Sequence, residues 1–165
     1  MSQYSSTPAN EFADIARGFC SWCESPDTCD RPEAVAAVWL SKLNAAALLL
    51  PQTDCENAEK LPEIPAPALA SAVGNLARFN GWYYREFFDP DPAIDEQPCM
   101  GDVGDDLLDT YKDVKRGELL FAAGAVTEAL WHWSFLHRIH WGRHAVGALF
   151  AIHGLFVSKG GNDEA

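Results

Sequence analysis

The last long segment of the chain, residues 126–156, decides the fold and reads VTEALWHWSFLHRIHWGRHAVGALFAIHGLF. Wound as an α-helix, this segment carries apolar side chains around its whole circumference. They are Leu130, Trp133 and Ala148 on one side, and Trp131, Phe135, Ile139 and Leu149 on the other. A helix that is apolar all round is either buried on all sides or shared with a second subunit. The segment therefore predicts one long C-terminal helix at the centre of the protein.

Earlier segments show the spacing of three and four between apolar residues that is typical of amphipathic helices. They cover about residues 7–24, 30–50 and 69–87, and a fourth begins at about residue 102. Asp30 and Asp102 stand where an aspartate can cap the first turn of a helix. Proline-rich connectors without periodicity separate these helices, because proline cannot continue a helix.

No alternating strand of useful length, internal repeat or low-complexity tract is visible in the sequence. The sequence thus predicts an all-α fold without a sheet. It is a single-domain helical bundle over residues 1–165, with a central, largely buried C-terminal helix. We expect an ordered core over about residues 8–157 and short polar tails. A chain of 165 residues buries about 68–70% of its unfolded surface, which supports a core without disulfide or metal crosslinks.

The composition limits which kinds of partner the protein can bind and indicates the compartment in which it is expected. Twelve basic and 24 acidic residues give a net charge of -12, so this acidic protein is expected to bind neither nucleic acid nor anionic membranes. The first residues do not form a secretory signal, and the longest uncharged stretch, residues 145–157, is too short to span a bilayer. Five irregularly spaced cysteines do not suggest a disulfide framework. These features predict a cytoplasmic protein.

Three histidines recur in the last segment at i, i+3 and i+7: His137, His140 and His144. On one continuous helix their imidazoles fall within about 60° of one another and within an apolar stripe, so we expect them to point inward. His140 and His144 have the spacing of two helix-borne metal ligands, although Trp141 stands where a zincin needs its glutamate. We favour core histidines hydrogen-bonded to carboxylates and carbonyls, with a divalent transition-metal site as the alternative.

Five aspartates follow one another closely between residues 102 and 113. Four of them lie on one helical stripe, and the ordinary interpretation of such a stripe is a solvated acidic face. These four are Asp102, Asp106, Asp109 and Asp113. Asp105 lies at the edge of the apolar side instead. Turned inward, Asp105 would pair with Arg143 or a protonated histidine, or would complete a mixed histidine and carboxylate metal shell.

The remaining chemical signals are weaker. Cys20 and Cys23 form a CxxC inside a helical pattern, without a second CxxC, and are predicted to be buried free thiols. The many aromatic residues are expected in the core, and the alternative is a small-ligand pocket lined by Trp133, Trp141 and Tyr111. The sequence contains no GxGxxG, GxxxxGK or GxSxG motif, so the usual signals for dinucleotide, P-loop and nucleophile-elbow chemistry are missing.

Two blocks resemble a known bacterial family. They are PCMGDVGDDLLDTYKDVKRGELLF at residues 98–121 and ALWHWSFLHRIHWGRHAVGALFAIH at residues 129–153. Together with AALLLP at 46–51 and FFDP at 87–90, they resemble domain of unknown function family 5063. The resemblance implies an all-helical fold and no particular chemistry. It marks as family-like Asp105, Asp106, His140, Trp141, Gly142 and His144. Near Val103 and Gly104, where that family usually has a serine, this chain departs from the pattern.

Two functions of different kinds follow from these features. The first is a non-catalytic module that binds a protein partner or a second copy of itself, without a cofactor. The alternative is a metal-binding enzyme or sensor that uses the His137, His140 and His144 face, with Asp105 as another possible ligand. No residue is assigned a catalytic role. The candidate functional cluster contains His137, His140, Trp141, His144, Arg143, Asp105, Asp106, Asp109 and Tyr111.

Overall fold

Helices dominate the architecture. Within residues 7–25, 29–55 and 61–157, which the computed structural model describes, the chain forms six α-helices and one two-stranded sheet. In chain order the elements are α1 (Pro8–Glu24), α2 (Pro32–Ala47), α3 (Ala66–Leu76), β1 (Tyr83–Glu86), β2 (Cys99–Asp102), α4 (Val103–Ala122), α5 (Val126–Ile139) and α6 (Trp141–Ile152). The predicted helical bundle is confirmed, and the predicted polar tails lie outside the described residues. Among the described helices, none is long and apolar enough to cross a membrane.

α4 lies at the centre of the packing and contacts α1, α3, α5 and α6, while α6 also packs on α2. The largest fully buried side chains are Trp133, Trp141, Tyr111, Phe12, Phe19 and Phe79. The indole N–H groups of the two tryptophans donate to the carbonyls of Val114 and Trp133, at 3.0 and 3.1 Å. Their polar atoms are thus satisfied inside the core. Cys20 and Cys23 are buried free thiols, as predicted.

Asp102 fixes the beginning of α4. Its Oδ1 accepts a hydrogen bond from the Gly104 amide at 2.8 Å, which confirms the predicted helix cap. Its Oδ2 accepts a second hydrogen bond from the Gly81 amide, also at 2.8 Å. One carboxylate therefore joins the first turn of α4 to the turn that precedes β1.

α2 differs from its prediction at both ends. It begins at Pro32, and the capping position belongs to Arg31, whose side chain makes no capping hydrogen bond. The predicted cap at Asp30 is wrong because proline favours the first helical position, which places Asp30 one residue too early. The helix ends at Ala47 and continues as a turn before Pro51.

The prediction of a single long C-terminal helix is wrong, because the helix is interrupted at His140 and the segment forms two helices, α5 and α6. His140 has φ −143° and ψ −89°, which lie outside the helical region. A straight helix over residues 126–156 would be about 46 Å long, whereas the 20 residues of α4 span about 30 Å. The break lets α5 and α6 pack separately on α4 and on each other.

A short antiparallel sheet is present where none was predicted. β1 and β2 pair over four residues each, with Tyr84 opposite Gly101 and Arg85 opposite Met100. The helix predicted over residues 69–87 is wrong beyond Phe79, because Gly81 adopts a φ of 79° and turns the chain into β1. Strands of four residues are too short for alternating polarity to stand out from the sequence.

Candidate functional site

Two aspartates of the α4 stripe face the C-terminal helices instead of solvent. Asp106 and Asp113, two turns apart, are only 5% and 6% exposed. The predicted solvated face is therefore wrong for these two residues. Asp105, for which an inward position was left open, is exposed. Adjacent residues on a helix point about 100° apart, and α4 turns Asp106, not Asp105, toward α6.

Each buried aspartate holds one histidine. The Nδ1 atom of His144 lies 2.7 Å from Asp106 Oδ1, and the Nδ1 atom of His140 lies 2.6 Å from Asp113 Oδ2. An ionised carboxylate can only accept, so in each pair the imidazole Nδ1–H donates. In the neutral ring, Nε2 is then the nitrogen that keeps a lone pair. The two rings stand edge to face with their centroids 4.9 Å apart.

The Asp106 carboxylate also binds Tyr84, which β1 delivers to the site. The phenol O–H donates to Asp106 Oδ2 at 2.7 Å. A Cβ at Gly101 would lie 2.5 Å from the Tyr84 ring, and one at Gly147 would lie 2.3 Å from its hydroxyl oxygen. Any side chain at position 101 or 147 would occupy the space of the Tyr84 ring or hydroxyl. Glycine is therefore needed at both positions. Burial, aided by the hydrogen bond to Asp106, raises the pKa of Tyr84.

Asp109, His140 and His144 converge on one point. One possible ligand atom from each of the three residues lies within 4.8 Å of the other two. His144 Nε2 is 3.9 Å from Asp109 Oδ2. The side chains of His140 and His144 are 46% and 27% exposed, so the cluster opens to solvent on the His140 side. This arrangement can hold a cation or transfer a proton at an accessible imidazole.

Two cations on α4 border this cluster. Lys112 Nζ lies 2.9 Å from Asp109 Oδ1, and an Arg116 guanidinium nitrogen lies 3.6 Å from Asp113 Oδ1. Both side chains are partly exposed. Lys112 and Arg116 thus place two positive charges on the α4 flank of the site.

Arg143 contacts the hairpin formed by β1, β2 and the loop between them, and not Asp105. It lies 3.8 Å above the Phe88 ring and donates to the carbonyls of Phe87 and Phe88. It also donates to Glu86 Oε2 at 3.4 Å. Arg143 thus holds the end of β1 against α6, beside the cluster.

Three other predicted site residues lie elsewhere. His137 is on α5 and forms a 2.9 Å hydrogen bond between its Nε2 and Asn44 Oδ1 on α2. Trp141 is buried in the core, and Tyr111 is buried with its hydroxyl donating to Glu24 on α1 at 2.9 Å. The alternative of a ligand pocket lined by Trp133, Trp141 and Tyr111 is not supported, because all three side chains are fully buried in the core, as the favoured interpretation expected.

Sequence reasoning missed two residues of the site. Tyr84 lies in a segment that was predicted helical, and no pattern pointed to it. His132 is 2% exposed and precedes His137, the first of the three predicted histidines, by more than one helical turn. Its Nε2 is 3.0 Å from the Asp113 carbonyl oxygen, so its N–H donates to the backbone of α4.

His132, His137 and His144 differ in the direction of their pKa shifts. The hydrogen bond to Asp106 raises the pKa of His144. Burial lowers the pKa of His132 and of His137. A raised pKa contributes stability that is present below the unfolded value of about 6.5 and lost as pH rises through the folded value. A lowered pKa contributes stability that is present above about 6.5 and lost as pH falls below it.

Stability of the metal-free protein is therefore expected to fall on both sides of about pH 6.5. Urea denaturation midpoints between pH 5 and 7.5 measure both arms, because unfolded thiols with a pKa of about 8.5 stay mostly protonated in that range. His144→Gln is expected to remove the decline between about pH 6.5 and 7.5 and to keep the decline toward pH 5. Midpoints that do not change with pH in the wild-type protein would contradict both assignments.

Comparisons with known proteins agree with this architecture. The crystal structure of protein BF1032 from Bacteroides fragilis superimposes with a TM-score of 0.70 at 19% sequence identity. The similarity covers 92% of this chain and 96% of that chain, and it establishes a shared fold. No curated protein matches the chain. The family model of the domain of unknown function DUF5063 matches residues 4–158, and the chain therefore belongs to this family.

Proposed function

We propose that Asp109, His140 and His144 bind a divalent transition-metal ion. One observation carries the proposal: a buried α4 carboxylate holds Nδ1 of each histidine, while the three residues converge within 4.8 Å. Histidines that ligate a metal almost always donate their other N–H to a carboxylate, carbonyl or water, which fixes the ring and raises its basicity. Asp106 and Asp113 are placed to do this for both rings.

The local charge supports a cation at this position. Four carboxylates, Asp105, Asp106, Asp109 and Asp113, stand against the two cations Lys112 and Arg116. With neutral histidines the cluster thus carries two excess negative charges, and a divalent ion balances them. A metal would also bind the imidazole Nε2 lone pairs, which the Nδ1 hydrogen bonds to Asp106 and Asp113 leave unused.

The donor set favours a transition metal over magnesium or calcium. Two imidazoles and one carboxylate suit zinc, iron, manganese or cobalt, whereas magnesium and calcium prefer oxygen ligands. Tetrahedral ligands about 2.05 Å from zinc lie about 3.3 Å apart, so binding would draw Asp109 toward the rings. Three protein ligands leave at least one position for water or substrate, which is typical of catalytic sites and not of closed structural ones.

Native mass spectrometry of the protein with one equivalent of Zn²⁺ tests the proposal. We expect one ion per wild-type chain and background zinc in His144→Gln, because loss of a ligand weakens binding directly. His137→Gln is the matched control, since His137 belongs to the same sequence trio but pairs with Asn44. It is expected to keep the ion.

A purely structural role for His144 predicts another result. The exchange to glutamine would then lower the free energy of unfolding by about 1–3 kcal/mol, the range of a disturbed buried hydrogen bond. Zinc content would stay at background in wild type and variant alike. That pattern, or stoichiometric zinc in His144→Gln, contradicts the metal proposal.

Protein interaction or self-association is a second candidate function. Large apolar side chains are exposed at several places, among them the adjacent Leu48 and Leu49 after α2 and Phe150 on α6. Apolar surface of this kind is used in contacts between proteins. The same native spectra report the number of subunits, and a monomer at all concentrations would contradict self-association.

A further inference from the structure

We infer that the metal-loaded site binds a small oxyanion group, a phosphoryl or carboxylate group, with Lys112 and Arg116 as its anchoring cations. The inference rests on the proposed metal centre and names the ligand class of that centre. It follows from the placement of two cations with unused donors beside the exposed edge of the cluster.

Lys112 and Arg116 lie one turn apart on α4, on the flank that carries Asp109. Lys112 uses one of its three N–H donors on Asp109 Oδ1 at 2.9 Å. Arg116 approaches Asp113 Oδ1 only to 3.6 Å, which is too long for a hydrogen bond. Both cations therefore keep donors for an incoming ligand.

The other charges around the cluster leave this flank as the approach for an anion. Arg143, on the hairpin side, is occupied by Glu86, by two backbone carbonyls and by the Phe88 ring. Asp105 is exposed one turn before Asp109 and repels an anion from the beginning of α4. Arg116 lies beside Asp113, the carboxylate that holds the exposed His140.

Charge also limits the size of the ligand. A divalent ion neutralises the excess negative charge of the cluster, so one oxyanion that contacts the metal would gain Coulomb attraction from it and from both cations. The net charge of -12 repels an extended polyanion. A single phosphoryl or carboxylate group on a small molecule satisfies both conditions, and arginine and lysine are common partners of such groups.

Cobalt-loaded protein tests the inference. Co²⁺ is titrated into the full chain first, and its visible absorption reports uptake and coordination. Inorganic phosphate and, separately, acetate are then titrated into the loaded protein, so that the two arms distinguish a phosphoryl from a carboxylate ligand. A chelating dye in parallel samples detects released cobalt.

We expect a saturable spectral change with at least one of the two anions and no release of cobalt. Lys112→Gln and Arg116→Gln should each weaken that anion about tenfold while they retain cobalt, as expected for loss of one charged hydrogen-bond donor. Arg17→Gln is the matched control, because Arg17 pairs with Asp14 at the same i, i+3 spacing on the exposed face of α1. It should leave anion binding unchanged.

The outcomes separate the two proposals. Absence of cobalt uptake overturns the metal centre and, with it, the oxyanion site. Cobalt uptake without a saturable response to either anion overturns the oxyanion site alone. If both Lys112→Gln and Arg116→Gln bind the anion as tightly as the wild-type protein does, the oxyanion site alone is likewise overturned.

Discussion

Replacement of Gly142 by alanine is expected to lower the free energy of unfolding by about 3 kcal/mol. A Cβ on Gly142 would lie 2.1 Å from the His137 carbonyl oxygen and 2.7 Å from the His137 ring. The oxygen belongs to the backbone of α5 and cannot rotate away, so α6 would have to move relative to α5. Urea denaturation at a fixed pH measures the change.

Gly74→Ala is the matched control for this experiment. Gly74 lies inside α3, and a Cβ there meets nothing within 4 Å. Alanine is therefore expected to stabilise the protein by about 0.5–1 kcal/mol, the usual gain from replacing glycine within a helix. Equal stability changes in the two variants would show that α5 and α6 do not pack closely at Gly142.

Replacement of Asp106 by asparagine is expected to weaken metal binding about 10–100-fold, the usual effect of removing a residue that orients a ligand. Asp106 accepts from Tyr84 on one oxygen and from His144 on the other. Asparagine has a single acceptor oxygen and no negative charge, so it cannot hold both donors. Competition between the protein and a chromophoric chelator for Zn²⁺ gives the dissociation constants.

Asp105→Asn provides the control, since it removes the same charge one residue away. Asp105 is exposed, and surface charges contribute at most about 1 kcal/mol, so its metal affinity should stay within about fivefold of wild type. A comparable loss in both variants would mean that the overall charge of α4, and not the contact with His144, sets the affinity.

Local patterns were sufficient for much of the fold. The apolar spacing of α1 and the cap at Asp102 depend on neighbours in sequence, and both predictions agree with the structure. The break at His140 could not be predicted in this way, because no proline interrupts the segment. The break leaves no room for a Cβ at Gly142 beside the His137 carbonyl, but a single glycine inside a helical pattern does not by itself locate a break.

The candidate site was predicted in its residue types but not in its arrangement. Periodicity placed Asp106 and Asp109 on one stripe and His140 near His144. It could not decide which side of α4 faces α6, and a rotation of about 100° exchanges Asp105 for Asp106. Tyr84 reaches the site through a strand pairing across a loop, and such pairing leaves little trace in sequence.

The hydrogen bonds that orient the histidines have a consequence for folding. Tyr84 and Asp106 are 22 residues apart, Asp113 and His140 are 27 apart, and Asp106 and His144 are 38 apart. Contacts of such long range form only after the intervening loops have closed, which is entropically unfavourable before the chain is compact. A fragment that contains only α5 and α6 would keep both histidines without their carboxylates. The site therefore exists only in the folded chain, because its imidazoles and carboxylates come from segments far apart in sequence.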